Sequence, residues 1–415
     1  MCLLSKLIHL TLPVHLIPSC SQLTASHRVT FNASSLLQAQ VHSRLQNQKP
    51  LFRADHVGSL LRPQVVKEAR KACLEDGSMD SASLAKIEDE AIRQAVVMQQ
   101  AAGLRAVTDG EYRRSFWHYD FMGHLSGFEL VEREQGLKFS GAVLRPIFPT
   151  IAGKLDFPDD HPMLSHFKYL ASVAEVQPKI SIPGPSCCHF RTAAADILPA
   201  EYSDPEVLFA DITSTYAKAV KAFYAAGCRY LQMDDIFFAY LCDAKIREEK
   251  KTLGQDPDWL VAQYAQMMHD AIKDRPDDMT IAMHLCRGNF QSTWMAQGAY
   301  DPVADTVFNQ TGIDVFFLEY DTQRAGGLAP LRLLSKGQQR VMAGFVTTKS
   351  GELEEPDALG RKFDEASKFV DLDQLGIAPQ CGFASTEEGN TLTEDEQKRK
   401  LELVVNTAEL IWGGI

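Results

Sequence analysis

From residue 51 onward the chain repeats one pattern: a short apolar run, a turn rich in polar residues, and a stretch of helical period. The apolar runs fall at 51–56, 105–108, 179–183, 229–233, 280–286, 315–320, 340–346 and 375–381. Between them the sequence predicts a helical stretch ending near Gln100, then helices at 204–226 with Asp204 as cap, 256–273, 329–336 and 357–370. A closing helix follows at 394–412, with Thr393 or its neighbours as N-cap and acidic residues in its first turn. Strands joined through helices lie parallel, because each crossover returns the chain to the same end of the sheet. Eight such units predict an α/β fold of the (β/α)8 TIM-barrel type, with a doubly wound open sheet as the alternative. Residues 117–177 interrupt the rhythm; rich in aromatics, Gly and Pro, they are expected to form a hairpin-containing excursion after the second strand.

A barrel of this kind gathers its chemistry at the C-terminal ends of the strands. Polar residues stand at all of them: 56–59, 109–111, Ser186 after Pro183 and Gly184, Asp234 with Asp235, His284 with Cys286, Glu319 with Asp321, 347–349, and Cys381. Any one of these fits a solvated loop or a helix cap. All eight together do not.

His284 and Cys286 are two positions apart on one strand, so alternation points both to the same face. Glu319 ends the run Val315 to Glu319, and Cys381 ends the run 375–381. If these strands are neighbours, the four residues converge on one rim, and two thiolates, an imidazole and a carboxylate suit Zn²⁺. Cys and His in apolar runs also serve as ordinary core residues. Their shared place at strand ends favours ligands, and Glu319 is preferred to Asp321 because it directly ends its strand.

Composition narrows the partners. A net charge of −12 and a pI near 5.5 leave no basic stripe to neutralise phosphates, which excludes nucleic acid and points to a small substrate. Nine cysteines at irregular spacing indicate a reducing compartment with free or metal-bound thiols, hence a cytoplasmic location. No apolar run is long enough to span a bilayer, so no membrane association is expected. Residues 1–49 differ from the 50–415 barrel: no Asp or Glu precedes Asp55, and Leu36, Leu37, Val41 and Leu45 share one helical face near Arg44. They read as a leader or disordered extension; a transit peptide would make the location mitochondrial instead.

The stretches Arg53-Ala-Asp-His-Val-Gly-Ser-Leu-Leu-Arg-Pro63, Asp109-Gly-Glu-Tyr112, Gln232-Met-Asp-Asp235, His284-Leu-Cys286 and Gln380-Cys-Gly382 resemble the C-terminal catalytic barrel of the cobalamin-independent methionine synthases, most closely its single-barrel relatives. The resemblance covers roughly residues 50–415. It implies zinc held by His284, Cys286, Glu319 and Cys381. It also implies that homocysteine is held by Gly58 and Ser59 after the first strand, Glu111 after the second and Asp234 after the fourth. A glycine permits close backbone approach, and paired carboxylates suit an ammonium group. The implied activity is that of a 5-methyltetrahydropteroyltriglutamate-homocysteine S-methyltransferase, giving methionine. Only a thiolate is a good nucleophile, a free thiol is mostly protonated at neutral pH, and binding to Zn²⁺ makes the thiolate dominant.

Two departures bear on the methyl donor. Where the family places a His after the seventh strand, thought to assist protonation of the leaving group, the segment Gly344-Phe-Val-Thr-Thr-Lys-Ser350 carries Lys349. The 415 residues also leave no room for the second, N-terminal barrel that helps the full-length enzymes bind folate. The donor is thus expected to be a methylated folate, a corrinoid protein or a small methylthio or methylamino compound. Two other functions remain open at this stage. One is a metal-free decarboxylase of the uroporphyrinogen type using Arg62, Arg113, Arg114, Arg287 and Arg324 against a polycarboxylate. The other is a non-catalytic zinc-stabilised barrel.

Overall fold

Six strands of four to seven residues run parallel in one sheet of the computed structural model: β4 (Ile180–Pro183), β5 (Tyr230–Asp234), β6 (Thr280–Leu285), β7 (Val315–Glu319), β8 (Arg340–Val346) and β9 (Leu375–Pro379), each hydrogen-bonded to the next. Among the shorter or antiparallel strands that precede them are β1 (Ala106–Val107), β2 (Ser126–Glu132) and β3 (Ile147–Asp156). The structure describes residues 52–133, 138–139, 142–143, 147–337 and 339–414, so the expected leader over 1–49 lies outside the described residues.

The first two barrel positions are shorter than expected. In place of a strand over 51–56 there is a single bridge from Ala54 to Ile377 in β9, flanked by Ile377 N donating to Arg53 O at 2.7 Å and Asp55 N to Ile377 O at 3.1 Å. The run ends early because the Asp55 carboxylate takes the His56 N–H at 2.7 Å and Gly58 turns the chain at φ +148°. β1 pairs with Gln177–Pro178, and Lys179 N donates to Val107 O at 2.8 Å. Between these first two positions the ring is joined by Leu60 N to Gly110 O at 3.0 Å and by the Thr108 hydroxyl to Gly58 O at 2.6 Å. The architecture is a (β/α)8 barrel.

Several helices carry side-chain caps, two of them, at Asp204 and Thr393, where the sequence places one. The side chains of Asp204 and Asp256 accept from the first turns of Pro205–Ala225 and Pro257–Ile272, and Thr393 with Glu396 forms a reciprocal capping box on Glu394–Trp412. The helical stretch before Gln100 is two helices, Gln64–Leu74 and Ser81–Ala101: Gly77 at φ +62° breaks the first and Asp80 caps the second. The segment 329–336 contains only a 3-10 turn, Ala329–Leu333. The excursion after the second strand holds the antiparallel β2–β3 hairpin and the helix Pro162–Val173. Among the described residues no helix is long and apolar enough to cross a membrane.

Period-two alternation sorts the strand residues into two cores. Tyr230, Ala282, Val315, Phe317, Met342 and Ala378 pack together inside the barrel, whereas Leu231, Ile281, Met283, Phe316, Leu318 and Val341 join the larger cluster under the helices. Deep inside, Lys179 is fully buried, with its ammonium 2.9 Å from Asp55 Oδ1, while the Tyr230 hydroxyl donates to Asp55 Oδ2 at 2.8 Å. The inward parity that begins at Tyr230, Ala282 and Val315 continues to Asp234, His284 and Glu319. The strand pairing sets Asp234 beside His284.

Candidate metal centre and substrate pocket

His284, Cys286 and Cys381 meet at the C-terminal mouth of the barrel, all buried, with their ligand atoms within 4.8 Å of one another. His284 Nε2 lies 3.5 Å from Cys381 Sγ. Cys286 shares its proton with Cys381: the hydrogen bond and burial push the Cys286 thiol well up, while the hydrogen bonds from Cys286 and His284 hold Cys381 well below the usual thiol range. Burial opposes a charged His284, but the Cys381 thiolate with Asp234 and Glu319 outweighs it and raises that imidazole. Two cysteine sulfurs and an imidazole at this spacing form a donor set for a borderline-soft cation such as Zn²⁺. All seven described cysteines are free thiols.

The fourth expected ligand is close to this group without belonging to it. Glu319 is fully buried; its Oε2 accepts from Arg287 N at 2.8 Å, and its Oε1 is paired with the Arg324 guanidinium. Lys349 Nζ lies 4.0 Å from the same Oε1 and does not line the pocket beside the thiols. Asp321, the other candidate, is 2% exposed at its side chain and 3.5 Å from Arg324. Its carboxylate oxygens have no hydrogen-bond partner among the described residues.

The predicted substrate clamp shares one pocket with the sulfur ligands: Ser59, Glu111 and Asp234 line it together with His284, Cys286 and Cys381. Gly58 is required where it stands, because a Cβ there would sit 3.3 Å from Glu111 Oε1 in a conformation that L residues avoid. A Cβ on Gly382 would overlap the Ser59 hydroxyl, so Ser59 owes its position to a glycine more than three hundred residues away. Glu111 adopts φ 60°, the left-handed region, which turns its carboxylate inward to accept from the Ser181 hydroxyl at 2.8 Å. Its other oxygen is 3.6 Å from Arg114 Nη1. Burial raises the Glu111 carboxyl and pushes Asp234 up to about 7, Glu111 adding to the Asp234 shift while His284 and a 2.7 Å hydrogen bond from Gln232 oppose it. The pocket favours a ligand that brings positive charge. Ser186, by contrast, is turned away from this role by donating to Asp235.

Sequence reasoning missed the opposite wall. Trp117, His118, Arg191, Tyr240 and Asn289 also line the pocket. His118 stacks on Trp117 and Tyr119, with centroids 4.4 and 3.9 Å apart, and its Nδ1 has no hydrogen-bond partner among the described residues. The aromatic run 116–119 directly after a strand end was the available signal, since barrel loops at that face carry function. Arg191 had none: it stands on the turn after Ser186–Phe190, brought in only by the fold.

Comparison with known proteins identifies the family. The chain is 46% identical over 372 residues to the uncharacterised protein YxjG of Bacillus subtilis, covering 89% of this chain and 97% of that one. A crystal structure from Listeria monocytogenes, assigned as a vitamin B12-independent methionine synthase, superposes with a TM-score of 0.71 at 38% identity over 88% of this chain and 100% of that one. The B12-independent methionine synthase of Shewanella sp. W3-18-1, solved with selenomethionine, shares the fold, with a TM-score of 0.64 at 20% identity over 87% of this chain and 98% of that one. The model of the cobalamin-independent synthase catalytic domain matches residues 52–409, and the chain belongs to that family.

Proposed function

We propose that this protein transfers a methyl group from a methylated folate or related donor to the thiol of homocysteine, giving methionine, with Zn²⁺ held by His284, Cys286, Cys381 and Glu319. The observation that carries this reading is the buried His284, Cys286 and Cys381 cluster sharing one pocket with Ser59, Glu111 and Asp234. When bound, Zn²⁺ supplies the Lewis acidity that keeps a substrate thiol deprotonated at neutral pH. The chain's own residues do the rest. Glu111 and Asp234 oppose the substrate ammonium, and Gly58 and Ser59 let the substrate backbone approach closely. The substrate sulfur forms a bond to the methyl carbon as the bond from that carbon to the leaving group breaks. The leaving group then takes a proton, which we assign to Lys349: its ammonium stands behind the thiols, outside the pocket lining, has no hydrogen-bond partner among the described residues, and has to swing into the pocket to deliver it.

The decarboxylase alternative finds less support. Arg62 and Arg287 are spent on backbone carbonyls, Arg113 is paired with Asp89, and Arg324 with Glu319. None of the five arginines named for that reading lines the pocket.

The test is zinc content per chain for the wild type and for Cys286→Ser combined with Cys381→Ser, together with zinc X-ray absorption before and after adding homocysteine. About one zinc per wild-type chain, lost in the double variant, and a gain of one sulfur neighbour with homocysteine are expected. Folded wild-type protein that takes up no zinc, or keeps it without those cysteines, would sink the reading.

A further inference from the structure

The cluster of charged side chains behind the thiols carries more than a ligand role needs. Glu319 and Asp321, both buried, face one guanidinium, that of Arg324. Arg324 touches Glu319 Oε1 and stands 3.5 Å from Asp321 Oδ1, just beyond a good charge-assisted hydrogen bond. Its guanidinium packs over the Trp294 ring at 4.8 Å, a planar seat on which it can slide with its charge still covered. Asp321 accepts no hydrogen bond at either oxygen among the described residues, an expensive condition for a buried carboxylate. Of the other cations nearby, the Lys362 ammonium is directed to the Tyr320 and Asp321 carbonyls at 3.4 Å, and Lys349 Nζ stands farther off, 4.0 Å from Glu319 Oε1.

We infer that Arg324 is an exchangeable counter-ion for Glu319, that Asp321 is its second seat, and that the exchange between them sets the metal affinity of the site. This rests on the proposed metal reading, with Glu319 as the fourth ligand. A cation that takes Glu319 must displace Arg324, and an arginine displaced inside the protein would be left as an uncompensated buried charge if it had nowhere to go. Asp321 compensates it. Closing the 3.5 Å gap to about 2.8 Å completes the pair, and each carboxylate faces one cation. Both residues are positioning residues: neither reaches the thiol pocket.

The exchange predicts opposite signs for two neighbouring neutralisations. Removing the competitor in Arg324→Gln should tighten zinc about tenfold or more, whereas removing the second seat in Asp321→Asn should weaken it by about the same factor, one charge-assisted hydrogen bond in each case. The double variant should match Arg324→Gln, because the seat is idle once its occupant is gone. Arg324→Lys, which keeps the charge, should fall back toward wild type. The measurement is zinc competition against a chromogenic chelator, with circular dichroism to check folding. Residues with a merely structural role would weaken zinc in all four variants. That outcome, or unshifted affinities while the wild type still binds zinc through its cysteines, overturns the exchange and leaves the metal site standing. No zinc in any folded variant or in the wild type overturns both.

Discussion

Replacing Glu111 by Gln keeps the shape of the side chain and removes one charge from a buried pocket. One carboxylate oxygen of Glu111 is taken by Ser181 at 2.8 Å, while the other lies 3.6 Å from Arg114 and has no hydrogen-bond partner among the described residues. That second oxygen is the one placed to receive a substrate ammonium. A hydrogen bond to a charged group contributes about 1.5–3 kcal/mol, and Asp234 remains in the pocket to share the load, so the loss should be about 2 kcal/mol, or ~30-fold in Kd. Calorimetric titration of zinc-loaded protein with homocysteine and with 4-mercaptobutyrate, which lacks the amino group, isolates that contact. Glu111→Gln should weaken homocysteine ~30-fold and leave the des-amino thiol within about threefold. Equal weakening of both thiols would refute the ammonium contact and reduce Glu111 to a structural residue.

Two further expectations concern the frame around the site. Lys179→Met leaves Asp55 charged inside the barrel with only the Tyr230 hydroxyl and the His56 N–H, and should cost about 3–5 kcal/mol in urea denaturation; a loss under 1 kcal/mol would mean that the pair is not intact in solution. His161 caps Pro162–Val173 as a neutral imidazole, Nδ1 accepting from Met163 N at 3.2 Å and Nε2 bonded to Phe121 O at 3.1 Å, and burial lowers it to about 4. A depressed imidazole stabilises the fold fully above its unfolded value of 6.5 and loses that contribution as pH falls toward 4, at most about 3 kcal/mol. The stability gap between wild type and His161→Gln should therefore shrink from pH 7 to pH 4.5, and a constant gap would contradict the neutral cap.

The parallel strands, the caps at Asp204 and near Thr393, the shared face of His284 and Cys286, and the strand-end places of Asp234 and Glu319 were legible in the chain alone. Alternation along a strand and cap chemistry are local properties, fixed within a few residues of where they act. Convergence at strand ends followed from the barrel as a class, and it brought Ser59, Glu111 and Asp234 to the thiols as expected. What the residues could not show was pairing across long separations. The first strand shrinks to one bridge at Ala54, and the Asp55 carboxylate beside it is paired with Lys179 and Tyr230, which lie 124 and 175 residues away. Trp117, His118 and Arg191 become pocket wall only once the excursion and the loop after β4 fold over the same mouth. Glu319 reads as a ligand in sequence. The tertiary structure gives its carboxylate to Arg324, because the partner of a buried charge is whichever opposite charge the folded backbone brings within reach.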